Sequence, residues 1–163
     1  MIETFAGGNI VVRKATVGDI DIIRNLQLSY DNQIEIAKFA KMSYKEYLTW
    51  HVFNSLDSTY MLYIKGEFTA ILGLGAENNL FFLTSSNLIN YKKWAVKYFR
   101  DILTYIMLIE GSNKCKVFID YDYKASIKWA VRHGFKFKSL IELEEEVKFG
   151  VYEYTIQKDK LSL

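Results

Sequence analysis

The sequence contains no proline, although an average content of about 5% would give roughly eight in a chain this long. Lys, Asn, Ile and Tyr are abundant, so we interpret the missing proline as the coding bias of an AT-rich genome. The single cysteine, Cys115, excludes an intramolecular disulfide. We therefore expect the protein to work in a reducing compartment, the cytoplasm of the cell that makes it.

Long apolar runs and a large net charge are also missing. No run approaches the roughly 18–20 residues that cross a bilayer, and the first residues lack the apolar core of a signal peptide. A net charge of +2 argues against a dedicated nucleic-acid binder. Half of the residues are hydrophobic, which predicts one folded domain over residues 1–163. From the missing apolar runs and the small net charge, we expect neither a membrane nor a nucleic acid as partner.

Hydrophobic periodicity predicts the element order β-α-α-β-β-β-α-β-α-β-β. The predicted elements are a strand at Ile10–Lys14, helices opening at Thr16 and Ser43, three strands over 59–86, a helix over 87–109, a strand over 116–122, a helix over 124–133 and two strands over 135–158. Hairpins make neighbouring strands antiparallel, whereas the strand–helix–strand unit needs a parallel crossover. This pattern predicts an α/β fold with one mixed, mostly antiparallel sheet and helices on both faces.

The segment "YKASIKWAVRHGFKF" combines an amphipathic helix with a sharp stop at Gly134, followed by Phe135. Together with the element order, it resembles the GNAT superfamily of acyl-CoA-dependent N-acyltransferases. In the motif N-x-x-A-x-x-x-Y-x-x-x-G-F of that superfamily, Gly134 and Phe135 fill the last two positions and Ser126 fills the small-residue position. Tyr123 replaces the asparagine and Ala130 replaces the tyrosine. The resemblance implies acetyl-CoA as cofactor.

A narrower resemblance comes from "LTSS" at 83–86, the long helix, and then "SI-x-W" at 126–129 before the Gly-Phe pair. These segments are similar to the GNAT-like internal-virion-protein-A family of tailed phages. That resemblance implies a role in virion assembly or in binding a phage or host protein. It also implies a location in the host cytoplasm or in the virion.

The superfamily binds the cofactor's diphosphate at a glycine-rich turn before the long helix, and "TSSNLINYKKW" stands at that place without a glycine. Hydroxyl and N–H groups of Ser85, Ser86 and Asn87 could hold the diphosphate, and Lys92 or Lys93 could add charge. Ordinary helix capping by Ser86 or Asn87 is the alternative, and we favour it. The candidate cofactor-binding residues are Leu83, Thr84, Ser85, Ser86, Asn87, Lys92, Lys93, Ser126 and Trp129.

Candidate catalytic residues are Tyr121 and Tyr123, which could protonate the departing thiolate, and Glu77, which could accept a proton from the amine. Tyrosines that pack on a strand and a solvated turn carboxylate are the structural alternatives. Asp120 and Asp122 share one strand face in this reading, but no third metal ligand is spaced with them. We favour a non-catalytic interaction protein with a degenerate acyl-CoA site, and an active N-acetyltransferase is the alternative.

Overall fold

The computed structural model describes residues 2–144 and 146–156. Its strands are Ile2–Phe5 (β1), Ile10–Lys14 (β2), Thr59–Ile64 (β3), Glu67–Leu74 (β4), Leu80–Thr84 (β5), Lys114–Asp120 (β6), Lys136–Glu144 (β7) and Val147–Thr155 (β8). Its helices are Ile20–Arg24 (α1), Tyr30–Phe39 (α2), Tyr44–Ser55 (α3), Lys92–Ile109 (α4) and Lys124–Arg132 (α5). The predicted final strand extends through Gln157 and Lys158, which lie outside the described residues.

The predicted fold class is confirmed, because the chain is a mixed α/β protein with antiparallel strand pairs and helices. The described strands form two sheets, with the orders β1-β2-β3-β4-β5 and β6-β8-β7, where we predicted one. A single parallel bridge pairs Asn79, just before β5, with Lys116 of β6. One bridge does not make a ladder, which explains the difference. No helix in the described ranges is long and apolar enough to cross a membrane.

The first of two compact units comprises the chain up to Gly73 and the segment Phe81–Tyr98. The helix predicted from Thr16 is divided here into α1 and α2. Leu28, between them, forms an antiparallel bridge with Ser85, and Ser29 then caps α2. This long-range pairing overrides the local helical period. The core of the unit contains Ala15, Ile23, Leu26, Leu28, Ile36, Leu48, Val52, Met61, Ile71 and Leu83.

An ion pair between Arg13 and Asp19 stabilises the start of α1. Nη1 and Nη2 of the Arg13 guanidinium each donate to one carboxylate oxygen of Asp19 at 2.7 Å. Asp19 also accepts from the backbone N–H of Thr16 at 2.8 Å, which forms the capping box that a threonine followed three residues later by an aspartate indicates in the sequence. The hydrogen bonds from Arg13 lower the pKa of Asp19 to about 2, although burial opposes the shift. The carboxylate is therefore charged at every pH at which the protein is expected to work.

The second unit comprises Leu74–Leu80 and the chain from Phe99 onward. Gly134 ends α5 with φ +93°, a conformation that L side chains rarely adopt, so its predicted capping role is confirmed. Phe135 is buried directly after it. The Phe135 ring lies 5.4 Å from that of Tyr154 in β8, centroid to centroid. The turn after α5 therefore anchors the helix to the three-stranded sheet.

Candidate functional site

The site begins where β5 ends, at Leu83 and Thr84. Leu83 is part of the buried core, so it is not available to a ligand. The backbone N–H of Thr84 donates to Asn32 Oδ1 at 2.8 Å, and its hydroxyl reaches the same oxygen at 2.9 Å. Because the carbonyl oxygen of Thr84 accepts from Ser29 at 2.8 Å, this residue joins β5 to the start of α2. Its polar groups are thus used within the fold.

The next four backbone N–H groups are also engaged. Ser85 donates to the carbonyl oxygen of Thr69 at 2.7 Å, and Ser86 donates to that of Gln27 at 2.8 Å. Asn87 N–H reaches Ser85 Oγ at 3.5 Å, and Leu88 N–H donates to the carbonyl oxygen of Ser85 at 3.1 Å. An anion cradle needs N–H groups that are free to donate. The backbone of these four residues therefore does not fit a diphosphate.

The turn continues as a 3-10 helix over Ser86–Tyr91 and runs directly into α4. Ser85, with extended backbone angles, is its N-cap, so the predicted cap at Ser86 or Asn87 is wrong by one or two residues. In such a helix each N–H group bonds three residues back along the chain. Lys92 and Lys93, both exposed, open α4 and are the remaining candidates for holding a diphosphate.

A polar cluster beside this turn was missed by the sequence analysis. Asn87 Nδ2 donates to the carbonyl oxygen of Phe68 at 3.2 Å and lies 3.4 Å from Glu67 Oε2. Asn87 Oδ1 is buried without a hydrogen-bond partner. Desolvation and a hydrogen bond to Glu67 raise the pKa of Tyr91. About twenty residues separate β4 from these groups, so no local spacing in the sequence indicates the cluster.

The two candidate tyrosines occupy different environments. β6 ends at Asp120, so Tyr121 lies in a turn, about half exposed, with Lys124 Nζ 5.3 Å from its ring centroid. Tyr123 is half-buried and stands immediately before α5. The predicted strand face shared by Asp120 and Asp122 is wrong, because Asp122 N–H instead donates to Asp120 Oδ1 within the turn. Groups of three or more metal-ligating side chains are absent from the described residues.

Glu77 lies in a tight turn between β4 and β5, with a left-handed backbone at φ 58°. Its side chain is 81% exposed and pairs with Lys116 Nζ at 3.4 Å. This is the environment of the solvated turn carboxylate that we weighed as the structural alternative. A catalytic role for Glu77 therefore depends on a substrate that shields it from water.

Trp129 belongs to an aromatic cluster inside the second unit. Its ring lies 4.5 Å from that of Phe99, edge to face, and 5.0 Å from that of His133. Ser126, one turn earlier, is half-buried. Ala130 is fully buried at the position where the superfamily pattern has tyrosine. The structure thus places Trp129 and Ala130 in packing roles and leaves no phenol at position 130.

Two further reactive side chains are buried away from these turns. Burial raises the pKa of the Cys115 thiol to about 12, which excludes a thiolate nucleophile near neutral pH. His51 is also buried, and desolvation lowers its pKa to about 4. Its Nε2 lies 3.0 Å from Thr59 Oγ1, and that hydroxyl donates to the carbonyl oxygen of Ser55. His51 is therefore a neutral donor within the first unit.

No protein-family model and no curated protein sequence matches the chain. Solved structures do match it. RimL, a ribosomal alpha-N-protein acetyltransferase in complex with coenzyme A, matches with a TM-score of 0.67 at 13% identity, covering 96% of this chain and 98% of that one. The chain has the GNAT fold. A GNAT-family acetyltransferase from Bacillus anthracis also matches with a TM-score of 0.67, at 10% identity, covering 97% of this chain and 98% of that one.

A spermidine N-acetyltransferase SpeG chimera from Vibrio cholerae and hSSAT matches with a TM-score of 0.64 at 12% identity, covering 90% of this chain and 95% of that one. At such identities these likenesses show the GNAT fold alone. That fold is the one implied by the resemblance drawn from the element order and from "GF" at 134–135. The narrower resemblance to the phage internal-virion-protein-A family finds no support in them.

Proposed function

We propose that this GNAT-fold protein is an acyl-CoA-dependent N-acetyltransferase acting on an amine of a protein or a small molecule. The observation that supports this function is a fold match over nearly the whole of both chains with an acetyltransferase bound to coenzyme A. The microcin self-immunity acetyltransferase MccE, in complex with acetyl-CoA and AMP, matches over 91% of this chain with a TM-score of 0.61 at 12% identity. The proposal reverses the preference that the sequence alone favoured.

Acetyl-CoA, when bound, supplies the activated acetyl group. The amine nitrogen bonds to the carbonyl carbon of the thioester, and the carbon–sulfur bond breaks. The protein must therefore take one proton from the amine and give one to the sulfur. Tyr123, half-buried at the start of α5, is the proposed proton donor. Glu77 is the proposed acceptor of the amine proton.

Charge replaces the amide cradle in this proposal. The N–H groups from Ser85 to Leu88 are occupied, so the diphosphate is held by the ammonium groups of Lys92 and Lys93 at the start of α4. Lysine ammonium groups bind phosphate as point charges and need no backbone N–H. Such a contact orients the diphosphate less strictly than an amide cradle does. Its binding free energy also depends more strongly on the salt concentration.

Calorimetric titration with acetyl-CoA tests the function directly, with thermal unfolding as a second readout. A ligand at about 100 times its dissociation constant stabilises the fold by about 2.7 kcal/mol. For a chain of this size that raises the melting temperature by roughly 5–10 °C. Adenosine alone is the control and should give no shift. Absence of heat and of a shift at millimolar acetyl-CoA would overturn the proposal.

A second candidate is a non-catalytic GNAT-fold protein that binds a phage or host protein. Two observations favour it: the occupied backbone N–H groups after β5, and the buried Ala130 at the tyrosine position. It requires that acetyl-CoA does not bind and that the folded protein retains a specific protein partner. The same titration therefore separates the two candidates, and a pull-down follows only if acetyl-CoA fails to bind.

A further inference from the structure

β7 is an edge strand of the sheet β6-β8-β7, and the side chains on both of its faces are exposed. It pairs with β8 on one side, and in the described part of the chain no strand adjoins its other side. All nine of its residues are exposed, among them Phe137, Leu140 and Leu143 at 56, 43 and 58%. Long edge strands with exposed apolar side chains are templates for pairing with another strand. This strand is therefore suited to contact a second polypeptide through its free edge.

The sequence of β7, "KFKSLIELE", is complementary to itself when read in the opposite direction. Its first half carries Lys136 and Lys138, and its second half carries Glu142 and Glu144. An antiparallel pairing of two copies centred on Leu140 brings the lysine end of each strand alongside the glutamate end of the other. Opposite charges across antiparallel strands stabilise the pair, whereas like charges destabilise it.

The same register also matches the apolar residues. Leu140 falls opposite itself on the two-fold axis, and Phe137 of one copy lies at the same end of the pairing as Leu143 of the other. A parallel pairing in register would instead place lysine opposite lysine and glutamate opposite glutamate. The charge pattern thus favours antiparallel pairing centred on Leu140, the register that brings all four charged residues of the strand next to opposite charges.

We infer that a second copy of this chain covers β7, forming a two-fold homodimer in which the β7 strands pair antiparallel about Leu140. The two sheets of order β6-β8-β7 then join into one six-stranded sheet. The contact is isologous, because both copies use the same surface. Each pair of contacting residues therefore occurs twice, once on either side of the two-fold axis. In this closed dimer the β7 edge of each chain is paired, so no β7 edge remains to bind a third copy.

Two irregularities in β7 limit its pairing to a suitable partner. Its register with β8 shifts between Phe137 and Ser139 and again between Glu142 and Glu144. Bulges and edge charges normally protect a strand against indiscriminate pairing. In β7 the two bulges lie on either side of residues 139–142, so these four residues form its regular central part. A partner with the complementary charge order avoids the like-charge repulsion that other strands would meet.

Cysteine cross-linking tests the register. With Leu140→Cys the two new thiols meet on the axis, within the ~7 Å between Cα atoms that a disulfide allows. With Leu143→Cys the two thiols lie about 20 Å apart, since six residues at roughly 3.4 Å each separate them along the paired strands. The native Cys115 is buried and contributes little background. Leu140→Cys should therefore cross-link at least about tenfold more than Leu143→Cys under mild oxidation, a difference of roughly 1.4 kcal/mol.

Charge reversal tests the pairing without a cross-link. Lys138→Glu and Glu142→Lys each create like charges across the axis, so each should weaken the dimer at least about tenfold in sedimentation velocity. A mixture of the two variants restores both opposite-charge pairs and should form a heterodimer. Within one chain Lys138 also pairs with Glu153 and Glu142 with Lys148, so Glu153→Gln and Lys148→Gln are the matched controls. Both controls should leave the dimer intact.

A monomer at every concentration, with equal cross-linking of the two cysteine variants, would overturn the inference. A dimer that withstands both charge reversals would also overturn it, because another surface would then form the contact. Circular dichroism and melting temperatures confirm that the variants fold. Preferred Leu140→Cys cross-linking together with rescue in the mixture supports the inference.

Discussion

The backbone N–H of Ser86 donates to the carbonyl oxygen of Gln27 at 2.8 Å, across almost sixty residues of sequence. This bond closes the turn after β5 against the segment between α1 and α2. It also uses an N–H group that a helix N-terminus would otherwise offer to an anion. The turn after β5 thus keeps its shape with this N–H group engaged inside the fold.

Removing the two lysines at the start of α4 should therefore weaken acetyl-CoA binding. Each exposed ammonium group contributes about 1 kcal/mol or less to such a contact, so Lys92→Ala with Lys93→Ala should reduce affinity roughly tenfold. The salt dependence of binding should decrease as well. Lys97→Ala, more than a turn further along α4, is the control. Unchanged affinity in the double variant would exclude these lysines from the site.

Tyr123→Phe removes the proposed proton donor while keeping the ring. We expect kcat to decrease by about 10²-fold or more, the usual contribution of a general acid, with little change in acetyl-CoA affinity. Tyr121→Phe, in the exposed turn, should change kcat little. Steady-state kinetics together with titration separate the two effects. An equal decrease in both variants would argue against a specific role for Tyr123.

Features coded by neighbouring residues were predictable from the sequence. Thr16 with Asp19 and the glycine at 134 carry local capping signals, and the structure confirms both. The division between α1 and α2 was not predictable, because it depends on Leu28 pairing with Ser85. Long-range pairing of this kind leaves no trace in local spacing.

The candidate site shows the same limit. Hydroxyl groups at Ser85 and Ser86 suggested a polar cradle, but their N–H groups bond to Thr69 and Gln27, which are distant in sequence. Trp129, a cofactor candidate by resemblance, packs edge to face on Phe99. Residue type and spacing identified the right segment of the chain, whereas the availability of its groups depends on tertiary contacts.

Gly134→Ala should destabilise the second unit. The residue has φ +93°, and an added Cβ would lie 3.4 Å from the Tyr154 ring. A left-handed backbone costs a side chain about 1–2 kcal/mol. Gly18→Ala is the matched control, since its backbone is not left-handed and its Cβ would meet only Thr16 Oγ1 at 3.6 Å. Urea unfolding should show a lower midpoint for Gly134→Ala alone, and equal midpoints would contradict the capping role.

The buried His51 should make stability depend on pH between about 4 and 6.5. Its pKa is lowered from 6.5 to about 4 by burial, so between these values the unfolded chain binds a proton that the folded chain does not. Stability from this residue is fully present above pH 6.5 and is lost as the pH falls toward 4, by about 3 kcal/mol in total. His51→Gln should reduce the pH dependence of stability in this window, measured as the free energy of unfolding in urea at several pH values.

His133, whose pKa burial also lowers, remains in that variant, and His133→Gln serves as the parallel control. An unchanged slope in His51→Gln would show that the imidazole is protonated, or solvated, in the folded protein.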